Sequence, residues 1–201
     1  MTWIRTIPPH EADGRLKTMY ERIKGPDGAV DNIMEAHSLR PHTMEGHMSL
    51  YKHVLHNSAN KLPVWKLEAI GVYVSLLNGC DYCVEHHFSG LRRLLNDDAG
   101  AEAMRAALEA GEPERVFAGP DLAMMLYANL LTTRPNQVTR NMIDELRKSG
   151  LEDGDILEIN QVVAYFSYAN RTVLGLGINT EGDVLGLSPE ASEDANIWAH
   201  R

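Results

Sequence analysis

Nowhere along the 201 residues do apolar and polar side chains alternate at period two over a useful length; apolar residues recur at helical spacing instead. Leu16, Met19, Tyr20 and Ile23 form one such stripe. Met44, Met48, Tyr51 and Leu55 form another, at i, i+4, i+7 and i+11. Glycine and proline punctuate the pattern. Gly25-Pro26-Asp27-Gly28 stops the first stripe, and a short helix is expected over 32–39, ending before Pro41. Leu62-Pro63 opens a segment that runs to Leu77, where Asn78-Gly79 interrupts it, and a further helix fits 81–95. Helices are expected over 99–110, 121–131, 140–149 with Thr139 as N-cap, and 155–174, the last closing on Gly175 and Gly177. Residues 111–120 read as a loop. No fixed-period repeat and no low-complexity tract is visible. The pattern predicts an all-α bundle: a single helical domain over 1–178, then a polar, extended C-terminal tail over 179–201.

Composition excludes several classes. Hydrophobic residues make up 44% and charged residues 23%, too apolar for wholesale disorder. The formal net charge is −9, which argues against a nucleic acid or an anionic membrane as main partner. No apolar run approaches the roughly 20 residues that span a bilayer. The stretch Met1 to Pro9 has one Arg and no apolar core, so no secretory signal is expected there. The expected compartment is the cytoplasm, where a close cysteine pair is more often catalytic, redox-sensing or metal-binding than structural. There are two cysteines, Cys80 and Cys83, too few and too close for a disulfide scaffold.

Four polar residues around Asn78-Gly79 carry chemistry: Glu68, Cys80, Cys83 and His87. Cysteines at i and i+3 close a small disulfide ring when the first sits at a helix N-terminus. The Asn78-Gly79 break puts Cys80 there, where the helix dipole and free N–H groups favour thiolate. His87 lies four residues after Cys83, on the same helical face, and an imidazole in reach of a thiol accepts its proton. On one straight helix Glu68 would lie about 18 Å from Cys80. If the chain reverses at Asn78-Gly79 into a helical hairpin, Glu68 comes level with His87 and can orient it and take up its proton, directly or through a water.

These residues resemble the alkylhydroperoxidase D-like family of the carboxymuconolactone decarboxylase-like superfamily, in which a Glu precedes Cys-x-x-Cys by twelve residues and a His follows the second Cys by four. Glu68, Cys80, Cys83 and His87 match every spacing. The text Asn78-Gly-Cys-Asp-Tyr-Cys83 is most similar to a peroxidase-related subgroup, as are Asn32-Ile-Met-Glu-Ala-His-Ser-Leu-Arg-Pro41 and Tyr165-Phe-Ser-Tyr-Ala-Asn-Arg-Thr-Val-Leu-Gly-Leu-Gly177, so the likeness spans about residues 30–178. The resemblance implies an all-helical fold built on a helical hairpin, commonly assembled as a homo-oligomer. It also implies a thiol-dependent peroxidase, an antioxidant oxidoreductase without metal, haem or flavin. Cys83 would attack the hydroperoxide and become a sulfenic acid, Cys80 would condense with it to a disulfide, and an external dithiol would restore both. The enzyme that names the family has His between its cysteines. Here Tyr82 stands there, which weakens transfer of that enzyme's lipoyl-protein partner.

Other readings compete. Cys80, Cys83, His86 and His87 offer soft zinc ligands in a short span, yet adjacent histidines on a helix point about 100° apart. His53 and His56, at i and i+3 within a loose set with His37, His42 and His47, lack a Glu or Cys to complete a metal site. Glu85 and His86 are expected to be solvated. Tyr165, Phe166 and Tyr168 are expected in core packing more than as a pocket above the sulfurs. Functional rivals are a redox sensor, a general protein disulfide oxidoreductase, and a decarboxylase-type superfamily member, which characteristically lacks the cysteine pair.

Overall fold

The computed structural model describes residues 2–194 and 196–201. Among these the regular elements are nine α-helices and three short 3-10 turns, with no strand beyond one isolated bridge between Pro189 and His200. The helices are α1 Gly14–Ile23, α2 Asn32–Glu35, α3 Pro41–Leu55, α4 Val64–Asn78, α5 Asp81–Leu95, α6 Asp98–Glu109, α7 Gly119–Thr133, α8 Arg140–Lys148 and α9 Asp153–Leu176.

Helix α4 is the axle of the bundle. Residues Leu67 to Ser75 are all buried, and α3, α5, α6, α7 and α9 pack around it. A helix apolar on every side is stable only when enclosed in this way. Gly71 brings α9 close: a Cβ there would lie 2.2 Å from the Phe166 ring. Helix α4 ends at Gly79, which adopts φ +67, and the Cys80 N–H closes back on the Ser75 carbonyl at 2.9 Å. This six-to-one bond is the signature of a helix end that reverses the chain, and glycine takes the left-handed position without a Cβ penalty. The next helix, α5, begins at once, with Cys80 as its N-cap. The hairpin expected from Asn78-Gly79 is therefore present.

Most boundaries fall within two residues of expectation, with informative differences. Pro41 opens α3 at its first turn instead of merely ending the preceding segment, since a missing N–H costs nothing there. The helix expected over 32–39 shortens to α2 and a run of turns. Thr139 occupies the N-cap of α8 but its hydroxyl makes no capping bond. Helix α9 starts two residues early, because Glu152 and Asp155 form a reciprocal capping box.

Among the described residues after α9 there is no helix, yet the segment is not a free extension. Residues 183–194 and 196–201 lie back on the bundle. Trp198 is buried beneath the Arg22 guanidinium, whose carbon sits 3.8 Å from the ring centre. Lys52 of α3, fully buried, sends its ammonium to the His56 carbonyl (2.9 Å), to the Ser192 hydroxyl (2.9 Å) and to the Glu190 carbonyl. Backbone bonds between Ser188 and Arg201 fold the segment on itself. These anchors are long-range and largely polar, so no local periodicity announces them.

Candidate active site

The hairpin brings Glu68 and His87 together. His87 Nδ1 lies 2.7 Å from Glu68 Oε2, with the carboxylate 2% exposed. Burial pushes the Glu68 carboxyl up, but the His87 imidazole, the hydrogen bond it donates and His56 outweigh that, so the group ends below its ordinary value. An ionised Glu68 fixes the Nδ1–H tautomer of His87, leaving Nε2 as the proton acceptor. The Phe166 ring packs edge-on against the imidazole at 4.5 Å between centroids.

The sulfurs of Cys80 and Cys83 are 3.0 Å apart and share a hydrogen bond, both as free thiols. The shared hydrogen bond divides them: the contact with Cys83 draws the Cys80 thiol below its usual range. The same contact, together with burial, pushes Cys83 well above its own. Asn170 of α9, fully buried, donates to Ser75 Oγ at 3.0 Å and accepts from Asn78 at 2.9 Å, and it favours the charged form of both thiols. Cys83, His87 and Glu68 line one cavity of about 50 Å3, together with Tyr51, Tyr165 and His200. Burial holds the phenols of Tyr51 and Tyr165 protonated, well above the usual tyrosine range. Cys80 instead borders a separate groove of about 250 Å3 between the start of α5 and the end of α9.

Several of these residues depart from expectation. His86, expected in solvent, is 9% exposed, lines the cavity and sits 3.1 Å from Asp183 Oδ2. The same carboxylate accepts from the Tyr82 hydroxyl at 2.7 Å and from the Asn32 backbone N–H. Glu85 is tied to Arg105 by two hydrogen bonds. Tyr165, expected mainly as core, is a cavity wall and contacts His47 Nε2 at 3.2 Å. His56, one of the loose histidine set, is buried with Nε2 3.7 Å from Glu68 Oε1, and burial lowers it to about 4. Asp31 and His200 pair at 3.3 Å at the cavity edge; burial raises Asp31 to about 6 and lowers His200 to about 3. The sequence signal for Asn170 and Tyr165 was their place in the stretch 165–177. Asp183 and His200 had none, because they reach the site from the far end of the chain. Among the described residues no group of three or more His, Cys, Asp or Glu side chains is arranged to hold a metal ion. No helix there is long and apolar enough to cross a membrane.

No protein-family profile and no curated protein matches the chain. Solved structures do. An uncharacterized peroxidase-related protein from Silicibacter sp. TM1040 is 22% identical, with 90% of this chain and 95% of that one covered and a TM-score of 0.72. A second, the alkylhydroperoxidase AhpD core of an uncharacterized peroxidase-related protein from Ralstonia eutropha JMP134, is 20% identical over 92% and 96% with a TM-score of 0.76. The debrominase Bmp8, solved with 2,3,4-tribromopyrrole, is 19% identical over 84% of each chain, at 0.63. The all-α architecture and the hairpin around Gly79 thus form the alkylhydroperoxidase D-like fold of the peroxidase-related proteins.

Proposed function

We propose that the protein is a thiol-dependent peroxidase in which Cys83 attacks a hydroperoxide, Cys80 resolves the product, and Glu68 and His87 move the proton. The observation that carries this reading is the 2.7 Å contact from Glu68 to His87, in the same cavity as Cys83, with the second sulfur 3.0 Å behind it. Cys83 rests as a thiol because its proton is held by burial and by Cys80. It therefore needs a base at the moment of attack, and His87 Nε2 is that base. The Cys83 thiolate takes the outer peroxide oxygen, the O–O bond breaks, and the leaving alkoxide or hydroxide receives the proton from His87. Cys80 then displaces water from the Cys83 sulfenic acid and a disulfide forms. An external dithiol supplies the two electrons that restore both thiols, entering by exchange at Cys80 from the groove beside it. We place the reaction in the reducing cytoplasm and expect a homo-oligomer.

The test is consumption of hydroperoxide with a small dithiol in excess, joined to mass spectrometry after one equivalent of hydroperoxide. Catalytic turnover and loss of two hydrogens confined to Cys80 and Cys83 support the reading. Oxidation without turnover indicates a redox sensor. Thiol exchange with protein disulfides in the absence of peroxide indicates a general disulfide oxidoreductase.

The likeness to a debrominase favours a second reading, in which the same thiol pair removes halogen from an aromatic substrate. Cys83 would take the halogen as a sulfenyl halide, the ring would gain a proton, and Cys80 would displace halide as the disulfide forms. Halide release from a brominated pyrrole, with no hydroperoxide consumption, would select it.

A further inference from the structure

Cysteine peroxidation sets no limit on the group attached to the hydroperoxide; the walls of the cavity do. We propose that the C-terminal segment, through residues 186–188 and His200, is the specificity-determining wall of the Cys83 site, and that it restricts the site to hydrogen peroxide and hydroperoxides of similar size. This rests on the peroxidase reading above and names its substrate class.

The cavity measures about 50 Å3. At about 10–15 Å3 per water, it admits a few waters' worth of ligand, enough for hydrogen peroxide and too little for an aryl or fatty-acyl hydroperoxide. One wall is Cys83 and His87 from α5. Another is the C-terminal segment, through Gly186, Leu187, Ser188 and His200. The segment thus supplies four of the residues that line the cavity.

The segment is clamped at separate points. Asp183 is gripped by Tyr82, His86 and the Asn32 N–H. Gly186, at φ +80, lies flush on α5: a Cβ there would come within 2.8 Å of Ser89 Cβ and 3.0 Å of the Gly90 nitrogen. Lys52 binds the stretch 190–192 from below, and His200 meets Asp31 at the cavity edge. The clamps are polar contacts, one close backbone approach and, further on, the buried Trp198 ring beneath Arg22; none is a helix docked on a broad apolar face. A change at one clamp is therefore expected to loosen the segment at that point while α4, α5 and α9 stay packed.

Two variants loosen it at different points. Gly186→Ala forces the backbone off α5, and Lys52→Met removes the tether under Glu190 and Ser192. Circular dichroism and thermal melting establish that each is folded. For the native chain, kcat/KM for hydrogen peroxide is expected to exceed that for cumene hydroperoxide by at least about ten-fold, with both variants narrowing the ratio. A second readout needs no turnover. In a Cys80→Ser background, alkylation of Cys83 by iodoacetamide is expected to outrun that by a bulky fluorescein maleimide relative to a free cysteine peptide, and each loosening variant should restore the maleimide rate. Equal use of both hydroperoxides by the native chain overturns the proposal. So does a maleimide rate unchanged by either variant. If no hydroperoxide is consumed at all, the peroxidase reading fails, while the alkylation ratio still decides whether the segment closes the site.

Discussion

The Glu68 carboxylate and the His87 imidazole come from consecutive helices and meet at 2.7 Å, because Gly79 turns the chain back between them. Nineteen residues of sequence separate them. That contact sets an oriented imidazole in the cavity that Cys83 also lines, which is the arrangement the proposed mechanism uses.

Removing the base should be costlier than removing its orienter. His87→Asn is expected to lower kcat/KM for hydrogen peroxide by about 10²- to 10⁴-fold, with Glu68→Gln at the low end of that range. In both, the pH at which Cys83 becomes reactive toward iodoacetamide should move upward. An unchanged pH profile in both variants would show that the pair serves structure alone.

The two cysteines should fail differently. Cys83→Ser abolishes peroxide-dependent disulfide formation and leaves the fold intact. Cys80→Ser still reacts once, leaving a Cys83 sulfenic acid that a dimedone-type probe traps in a mass spectrum. Full turnover in Cys83→Ser would reverse the roles assigned to the sulfurs.

Stability should fall in mild acid. His47 and His200 are lowered to about 3 and His56 to about 4, all by burial, so between pH 6.5 and pH 4 the unfolded chain binds protons that the folded chain refuses. Stability therefore rises with pH across that window. Asp31, raised to about 6, acts in the opposite sense between its unfolded value near 4 and pH 6. Three histidines outweigh one aspartate, and urea midpoints are expected to drop steadily from pH 6.5 to 4.5. Converting both His56 and His47 to Gln should flatten the slope.

Gly71 holds the spacing between α4 and α9. Gly71→Ala would press a Cβ into the Phe166 ring and is expected to cost about 1–3 kcal/mol by overpacking. The displaced ring also loses its edge contact with His87, so activity should fall as well. Adding Phe166→Leu makes room for the methyl, and the double variant should be more stable than the sum of the two single changes predicts.

The sequence alone determined the helices and the spacing of the candidate site residues. Apolar residues at helical spacing, with glycine and proline between, dictate a bundle whatever its packing. The short text from Glu68 to His87 contains a turn signal and four polar groups, so folding locally was enough to bring them together. Helix Val64–Asn78 was legible in extent, from Pro63 to the Asn78-Gly79 break, while its enclosure on every side appears only in the packed bundle. What lay beyond local pattern was decided by tertiary structure. Asn170 binds Ser75 and Asn78, beside the sulfurs, from a helix that Gly71 lets approach α4. His86 leaves solvent because Asp183, 97 residues later, comes to meet it. The stretch 179–201 reads as polar and extended, and the burial of its residues Trp198 and His200 follows from partners such as Arg22 and Asp31, which are remote in sequence. Periodicity reports which face of a helix is apolar. It does not report which distant polar group closes over the face that holds the sulfur.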